Sequence, residues 1–206
     1  SGRFALGPAH FTGEASDLEI ATSGSIQEGD VAGSLKGTLD LAVVSSLWSE
    51  LRGGGPLAID ATLAGTLEHP DLEGRITLHE GRLRFIGYPQ SLESIDAEAV
   101  LAGQTLTLAS FHAIQGGGEI AATGRVEFAG VVPKSLKAEF TGANVSAKFP
   151  VGFKGTYQGK IEVEGTPRRA TISGRIEVVR GLYSKDFDVG LFGGSHREFD
   201  AAAESP

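Results

Sequence analysis

Lys160-Ile161-Glu162-Val163-Glu164 alternates charged and apolar residues without a break. Successive side chains on a strand point to opposite faces, so this stretch offers Ile161 and Val163 to one side and three charges to the other. The same period of two runs through Leu57-Ala58-Ile59-Asp60-Ala61-Thr62-Leu63, Arg75-Ile76-Thr77-Leu78-His79 and Thr105-Leu106-Thr107-Leu108. It returns in Arg125-Val126-Glu127-Phe128 and Arg175-Ile176-Glu177-Val178. One apolar and one polar face per segment is the pattern of antiparallel sheet with one side solvated. Buried parallel strands would read as continuous apolar runs, and those are absent.

Turn signals separate the strands at short intervals: Gly53-Gly54-Gly55-Pro56, His69-Pro70-Asp71, Glu80-Gly81, Ala102-Gly103-Gln104 and Gly116-Gly117-Gly118. Short strands with Gly-rich turns read as all-β. Roughly 16 strands are expected, which at about 4.8 Å each would run about 75 Å. One helical segment is expected, Val44 to Arg52, with Leu47, Trp48 and Leu51 as its stripe.

Composition agrees. The chain has 206 residues, 30 of them Gly and 8 Pro. Each interior Gly costs a helix about 1 kcal/mol relative to Ala, which argues against a mostly helical protein. With 40% hydrophobic and 21% charged residues, the chain is neither disordered by composition nor collagen-like. The net charge of −8 argues against nucleic acid as a partner, since such binders carry basic faces. Absence of Cys removes disulfides, zinc ribbons and Cys nucleophiles together. No Met occurs, even at the first position, and a strand pattern is already running at Ser1-Gly2-Arg3-Phe4, so the chain reads as a piece of a longer protein. No stretch approaches the ~20 apolar residues of a membrane span, and no signal peptide is visible.

An internal repeat underlies the alternation. Leu63-Ala64-Gly65-Thr66 matches Val163-Glu164-Gly165-Thr166. Leu72-Glu73-Gly74-Arg75-Ile76-Thr77-Leu78 matches Ile172-Ser173-Gly174-Arg175-Ile176-Glu177-Val178, and Gly81 matches Gly181. All these pairs are 100 positions apart. Thr123-Gly124-Arg125-Val126-Glu127-Phe128 lies halfway between the copies, and Thr22-Ser23-Gly24-Ser25-Ile26 is a fainter echo. Units that pair with their neighbours build an elongated particle. The expected organisation is one elongated repeat domain over residues 1–196, with units near 20–70, 71–120, 121–170 and 171–196. Residues 197–206 form a polar tail or the start of a further segment. Gly74, Gly124 and Gly174 are expected at equivalent places, where the sheet bends.

Chemistry-bearing motifs fail one after another. Gly116-Gly117-Gly118 lacks the third Gly of a dinucleotide fingerprint, and no Lys-Ser or Lys-Thr pair closes a phosphate loop. Gly193-Gly194-Ser195-His196-Arg197 has Arg where a nucleophile elbow needs its second Gly. His10, His69, His79, His112 and His196 include no metal-ligand spacing. Glu162 and Glu164 share a strand face, as a glycosidase pair could, but their alternation with Ile161 and Val163 reads as a solvated surface. Asn144-Val145-Ser146 matches a glycosylation sequon, a pattern common by chance. Pro167-Arg168-Arg169 is a basic turn, an exposed loop or a contact for an anionic headgroup. The chain is therefore expected to be no enzyme and to hold neither cofactor nor metal.

The phrase Leu63-Ala-Gly-Thr-Leu-Glu-His-Pro-Asp-Leu-Glu-Gly-Arg-Ile-Thr-Leu-His-Glu-Gly81 resembles the TamB family. That family is the inner-membrane component of the translocation and assembly module, within the AsmA-like, bridge-like lipid-transfer group. Leu92-Glu-Ser-Ile-Asp-Ala-Glu-Ala-Val100 with Leu106-Thr-Leu108, Gly116-Gly-Gly-Glu-Ile-Ala-Ala-Thr-Gly124, and Val163-Glu-Gly-Thr-Pro167 leading to Ile172-Ser-Gly-Arg-Ile-Glu-Val-Val-Arg-Gly-Leu-Tyr183 are similar to it too. The resemblance runs roughly from residue 20 to residue 190 and marks an internal fragment. It implies a curved antiparallel sheet folded lengthwise into a taco-like trough with an apolar interior. It also implies a periplasmic location, an inner-membrane anchor elsewhere in the parent chain and an outer-membrane partner of the Omp85 class. Two roles come with it: carrying phospholipid between membranes, and assisting the assembly of outer-membrane proteins and autotransporters.

The residues reach the trough by another route. A sheet with one apolar face must bury it, and no further strands or helices are visible to cover it. Left empty, the trough would be a large exposed patch, and phospholipid acyl chains would fill it. The expected lining is Ile59, Leu63, Ile76, Leu78, Leu106, Leu108, Val126, Phe128, Ile161, Val163, Ile176 and Val178. In an open trough a charge at Leu78 or Phe128 would block lipid without unfolding the sheet. The competing readings are a scaffold that adds strands to its edge, an enzyme or lectin on a β-helix, and a closed sandwich that binds no lipid.

Overall fold

Strands form wherever the alternation runs. The computed structural model describes residues 3–13, 15–25, 30–46, 48–66, 70–88, 90–130, 132–148 and 152–183. Its elements are β1 (Arg3–Gly13), β2 (Ser16–Ser25), β3 (Val31–Asp40), α1 (Leu41–Ser45), β4 (Leu51–Gly54), β5 (Pro56–Gly65) and β6 (Pro70–Phe85). They continue as β7 (Ser91–Gly103), β8 (Thr105–Gln115), β9 (Gly118–Ala129), β10 (Val132–Lys148), β11 (Phe153–Thr166) and β12 (Arg169–Tyr183). Eleven strands lie side by side in one antiparallel meander, and only β4 leaves the path, to pair with the far part of β6. The all-β class and the single open, curled sheet are as the alternation and the resemblance imply. The proposed tail at residues 197–206 lies outside the described residues.

Strand number differs from expectation. Twelve strands occur among the described residues, and the ten spacings between the eleven on the path extend about 48 Å at ~4.8 Å each, not 75 Å. The strands are longer than the turn signals suggested, reaching 17 residues in β10. Glu80-Gly81 shows why. It lies inside β6 as a bulge, with Glu80 at φ 48° and the register to β7 shifted between Leu78 and Gly81. Ser94 (φ 48°) and Asn144 (φ 54°) occupy similar register shifts in β7 and β10. β8 is bulged between Leu108 and Phe111. A bulge bends its strand and increases local twist, so bulges on neighbouring strands add up to a crease across the sheet. Asn tolerates the left-handed conformation better than most residues, which accounts for Asn144 without a glycan.

The 100-residue repeat is one hairpin used twice. β5 pairs with β6 through Leu63↔Leu72, Ala61↔Gly74 and Ile59↔Ile76. β11 pairs with β12 through Val163↔Ile172, Ile161↔Gly174 and Gly159↔Ile176, the same register residue for residue. Gly124 is different. It stands three strands from each copy, on β9, which runs opposite to β6 and β12. The halfway copy therefore repeats a pattern but not an orientation.

The helix is shorter and earlier than Val44 to Arg52. Asp40 caps it, its carboxylate accepting from the Ala42 amide at 2.6 Å. An oxygen at this position satisfies one of the free N–H groups of a first turn, and so sets where the helix begins. Trp48 lies beyond the helix and is exposed, Leu51 already belongs to β4, and Leu47 lies outside the described residues.

The core is small. Leu78, Ile95 and Ala113 form the buried cluster, with partly buried side chains such as Leu41 of α1, Leu57 and Phe111 packed around it. Among the described residues only Leu18 and Ala122 join these three as buried apolar side chains. A second layer would bury alternate residues along every strand, so most of this sheet is a single layer. Small-angle scattering of the monomer is expected to give a radius of gyration clearly above the ~17 Å of a compact chain of this length. A value at that figure would mean that the sheet closes on itself.

Candidate functional site: the apolar face

Directly paired residues lie on the same face of a sheet, so the register can be followed from strand to strand. One row runs Phe11↔Leu18↔Gly37↔Ile59↔Ile76↔Ala99↔Leu108↔Gly124↔Ala138↔Val163↔Ile172, across all eleven strands. It holds no polar side chain. A flanking row runs Ala61↔Gly74↔Leu101↔Leu106↔Val126↔Leu136↔Gly165. On the other side Leu57↔Leu78↔Ala97↔Phe111↔Ala122↔Phe140↔Ile161↔Gly174 forms a third row. By the same register Leu63, Phe128, Ile176 and Val178 face this side. The structure thus places all twelve residues singled out in the sequence on one face.

Their surroundings differ along that face. Leu78 is only 7% exposed and belongs to the packed cluster, because α1 and the bulged part of β6 crowd it. A charge there is a core lesion, contrary to the expectation of an open wall. Ile176 and Val178 stand on the edge strand β12 and are 60% and 56% exposed. Between these extremes, Ile120, Phe140, Val145, Tyr157, Ile161 and Ile176 line an open apolar hollow of about 270 Å³.

Sequence reading missed much of this lining. Phe140 and Leu136 sit in Leu136-Lys-Ala-Glu-Phe140, whose alternation was legible. Val145 was not, because the Asn144 bulge changes which residues of β10 face which way, whereas Tyr157 on β11 simply continues the alternation of Ile161 and Val163.

The opposite face is charged. Lys36–Asp60 (3.0 Å) and Lys137–Glu164 (3.3 Å) are ion pairs between directly paired positions, and Arg75–Glu98 (3.1 Å) is a diagonal one. Lys160 lies between Glu139 at 2.9 Å and Glu162 at 3.2 Å. Its hydrogen bond to Glu139, then that to Glu162, raises its pKa above the ordinary lysine value. Whatever stability this adds is present below the lysine range and lost as pH rises through the raised value. The Glu162 and Glu164 carboxylates are both engaged in such pairs. A polar hollow of about 930 Å³ overlies this charged face between β8 and β11. Exposed pairs add little stability because water already solvates them; here they keep this side wet, and the continuous apolar rows lie on the other. Among the described residues no group of three or more His, Asp or Glu could hold a metal ion, and no helix is long and apolar enough to cross a membrane.

The fold and this face define a class: an open, curled, single-layer antiparallel sheet, apolar on one side and charged on the other. Residues 109–189 match the family model described as the TamB C-terminal domain. This segment takes in most of β8 and all of β9 to β12, and the match supports TamB family membership for that part of the chain. No curated protein and no solved structure matches the chain. Residues 3–108 lie outside the matched segment, yet they continue the same sheet and the same apolar row.

Proposed function

We propose that the apolar face is a non-enzymatic conduit for phospholipid acyl chains in a TamB-like protein of the periplasm, supporting outer-membrane biogenesis. The observation that carries this reading is the uninterrupted apolar row across eleven strands, with no second layer over most of it among the described residues. An acyl chain gains by leaving water for such a surface at roughly 25 cal/mol per Å² buried, and movement along the row breaks no directional bond. Headgroups stay in water at the open side. The parent chain would be anchored in the inner membrane and would meet an Omp85-class protein through parts not present here. The second reading, a scaffold for outer-membrane protein assembly by strand addition, is favoured by one observation, the 15-residue outer edge of β12, which pairs with no further strand among the described residues.

Native mass spectrometry tests the conduit. The purified chain should carry phospholipid, or take it up from phosphatidylethanolamine–phosphatidylglycerol vesicles. Phe140→Asp and Phe128→Asp should abolish that while the denaturation midpoint stays within the effect of a surface change, about 1 kcal/mol. Phe140 is suited to this because it is 40% exposed at the hollow. Thr107→Asp is the control. It lies on the polar face opposite Arg125, which accepts a carboxylate, and it should keep its lipid. A chain that takes up no phospholipid, or aspartate variants that retain it, would overturn the reading.

A further inference from the structure

The connection from β6 to β7 is apolar where connections are ordinarily polar. Arg82-Leu-Arg-Phe-Ile-Gly-Tyr-Pro-Gln90 contains two arginines and no acid. Beside it lies the connection from α1 to β4, which carries the chain's one Trp, Trp48. The Ile86 amide donates to the Glu50 carbonyl at 2.8 Å and the Leu51 amide to the Trp48 carbonyl at 3.2 Å, so both connections sit at one end of the sheet. Trp48, Phe85 and Ile86 are 56%, 49% and 57% exposed there. Their support is fixed by polar contacts. The Gln115 side-chain amide donates to the Tyr88 hydroxyl at 3.0 Å, and the buried Ser45 hydroxyl accepts from the Gly53 amide at 2.9 Å.

Positive charge collects at the same end. Arg52 and Arg84 are directly paired across β4 and β6, and Arg82 lies on the same face opposite Gly54. Like charges directly opposite one another oppose pairing. No ion pair joins these three to an acid among the described residues, Glu50 included. Arg52 spends one guanidinium nitrogen on the Ser49 and Leu51 carbonyls, which leaves the rest of its fork available.

We propose that this end of the sheet docks on a bilayer surface rich in anionic phospholipid. Trp48, Phe85 and Ile86 enter the boundary between headgroups and acyl chains, where aromatic side chains concentrate. Arg52, Arg82 and Arg84 meet the phosphates, whose geometry suits a guanidinium fork. Phe85 directly follows Arg84, one strand residue or about 3.3 Å on, so one shallow insertion serves both contacts. Charge decides the occupant. The chain as a whole carries −8, so attraction to an anionic surface must come from a local cluster such as this one. A symmetric dimer through the same patch would instead set arginine against arginine. The docking does not depend on the apolar face carrying lipid.

Trp48 is the chain's one Trp, so its emission reports the contact directly. Vesicles of phosphatidylethanolamine and phosphatidylglycerol in equal parts, added to the whole chain, should shift that emission to the blue. Phosphatidylcholine vesicles should shift it far less. Arg52→Gln with Arg84→Gln, and separately Phe85→Ser with Ile86→Ser, should each weaken sedimentation with the anionic vesicles about tenfold or more. All four side chains are exposed, so circular dichroism should be unchanged. Arg168→Gln with Arg169→Gln removes the same charge from the turn before β12 and should leave binding intact. Phe140→Asp should keep the shift, which separates docking from filling of the apolar hollow. Unmoved emission, an equal response to phosphatidylcholine, equal loss from the Arg168 and Arg169 pair, or loss of the shift in Phe140→Asp would each overturn the proposal. So would a dimer whose Trp48 emission is already blue without vesicles, which would make a second copy the occupant.

Discussion

Leu78→Asp should unfold the protein rather than merely empty its apolar face. Leu78 is 7% exposed against Ile95 and Ala113, which are 1% and 0% exposed. A carboxylate placed there has no cation facing it among Leu57, Ile95, Ala97 and Phe111, and an unpaired buried charge is among the costliest single changes. We expect a loss of about 4 kcal/mol or more, a large part of the roughly 5–15 kcal/mol that holds a domain together. Leu78→Ala, which removes methyl groups without adding charge, should cost about 2–5 kcal/mol. Chemical denaturation followed by circular dichroism measures both. A Leu78→Asp midpoint near that of the unsubstituted chain would show that the cluster is not a core. The contrast with Phe140→Asp separates packing from occupancy, because the two residues share a row and differ in exposure.

Gly74→Ala and Gly174→Ala should each cost about 2–4 kcal/mol, by strain and overpacking. A Cβ at Gly74 would collide with the Asp60 carbonyl and lie 2.6 Å from the Ala61 Cα. At Gly174 it would collide with the Lys160 carbonyl and lie 2.8 Å from the Ile161 Cα, on a backbone with φ 151° that side chains rarely adopt. Both clashes are with backbone, which cannot rotate aside. Gly124→Ala is the internal comparison. Its nearest neighbour would be the Lys137 carbonyl at 3.1 Å, so a shift of a few tenths of an ångström suffices and the cost should be about 1 kcal/mol or less. Similar thermal shifts at all three positions would mean that the halfway copy is structurally equivalent after all. A large shift at Gly74 and Gly174 alone would confirm that only the 100-residue interval repeats a hairpin.

Several features were legible because they depend on local pattern. Ile161 and Val163 between Lys160, Glu162 and Glu164 already specify a strand with a dry side and a wet side, since the pleat has a period of two whatever surrounds it. The repeat marked equivalent hairpins for the same reason: Gly65 and Gly165 end matching strands, and they pair with Pro70 and Ala170 in the same register. The loop glycines Gly116 and Gly117 were equally plain. Both take left-handed φ, 58° and 83°, as a two-residue hairpin connection requires.

What tertiary structure decided was where the pattern is interrupted and what each apolar residue meets. Glu80-Gly81 reads as a turn, but β7 pairs on both sides of it and holds the chain straight enough to make a bulge. Whether two consecutive polar or glycine residues end a strand depends on the neighbouring strand, which local sequence does not contain. The helix is confined to Leu41–Ser45 because Gly53 and Gly54 are drawn into pairing with Leu83 and Arg82, leaving only a short span to bridge. Leu78 and Val178 have the same place in the repeat and the same alternation, yet one is core and the other edge. Alternation assigns a side chain to a face; only the number of strands flanking it, and the helix folded beside them, determines how much water that face sees.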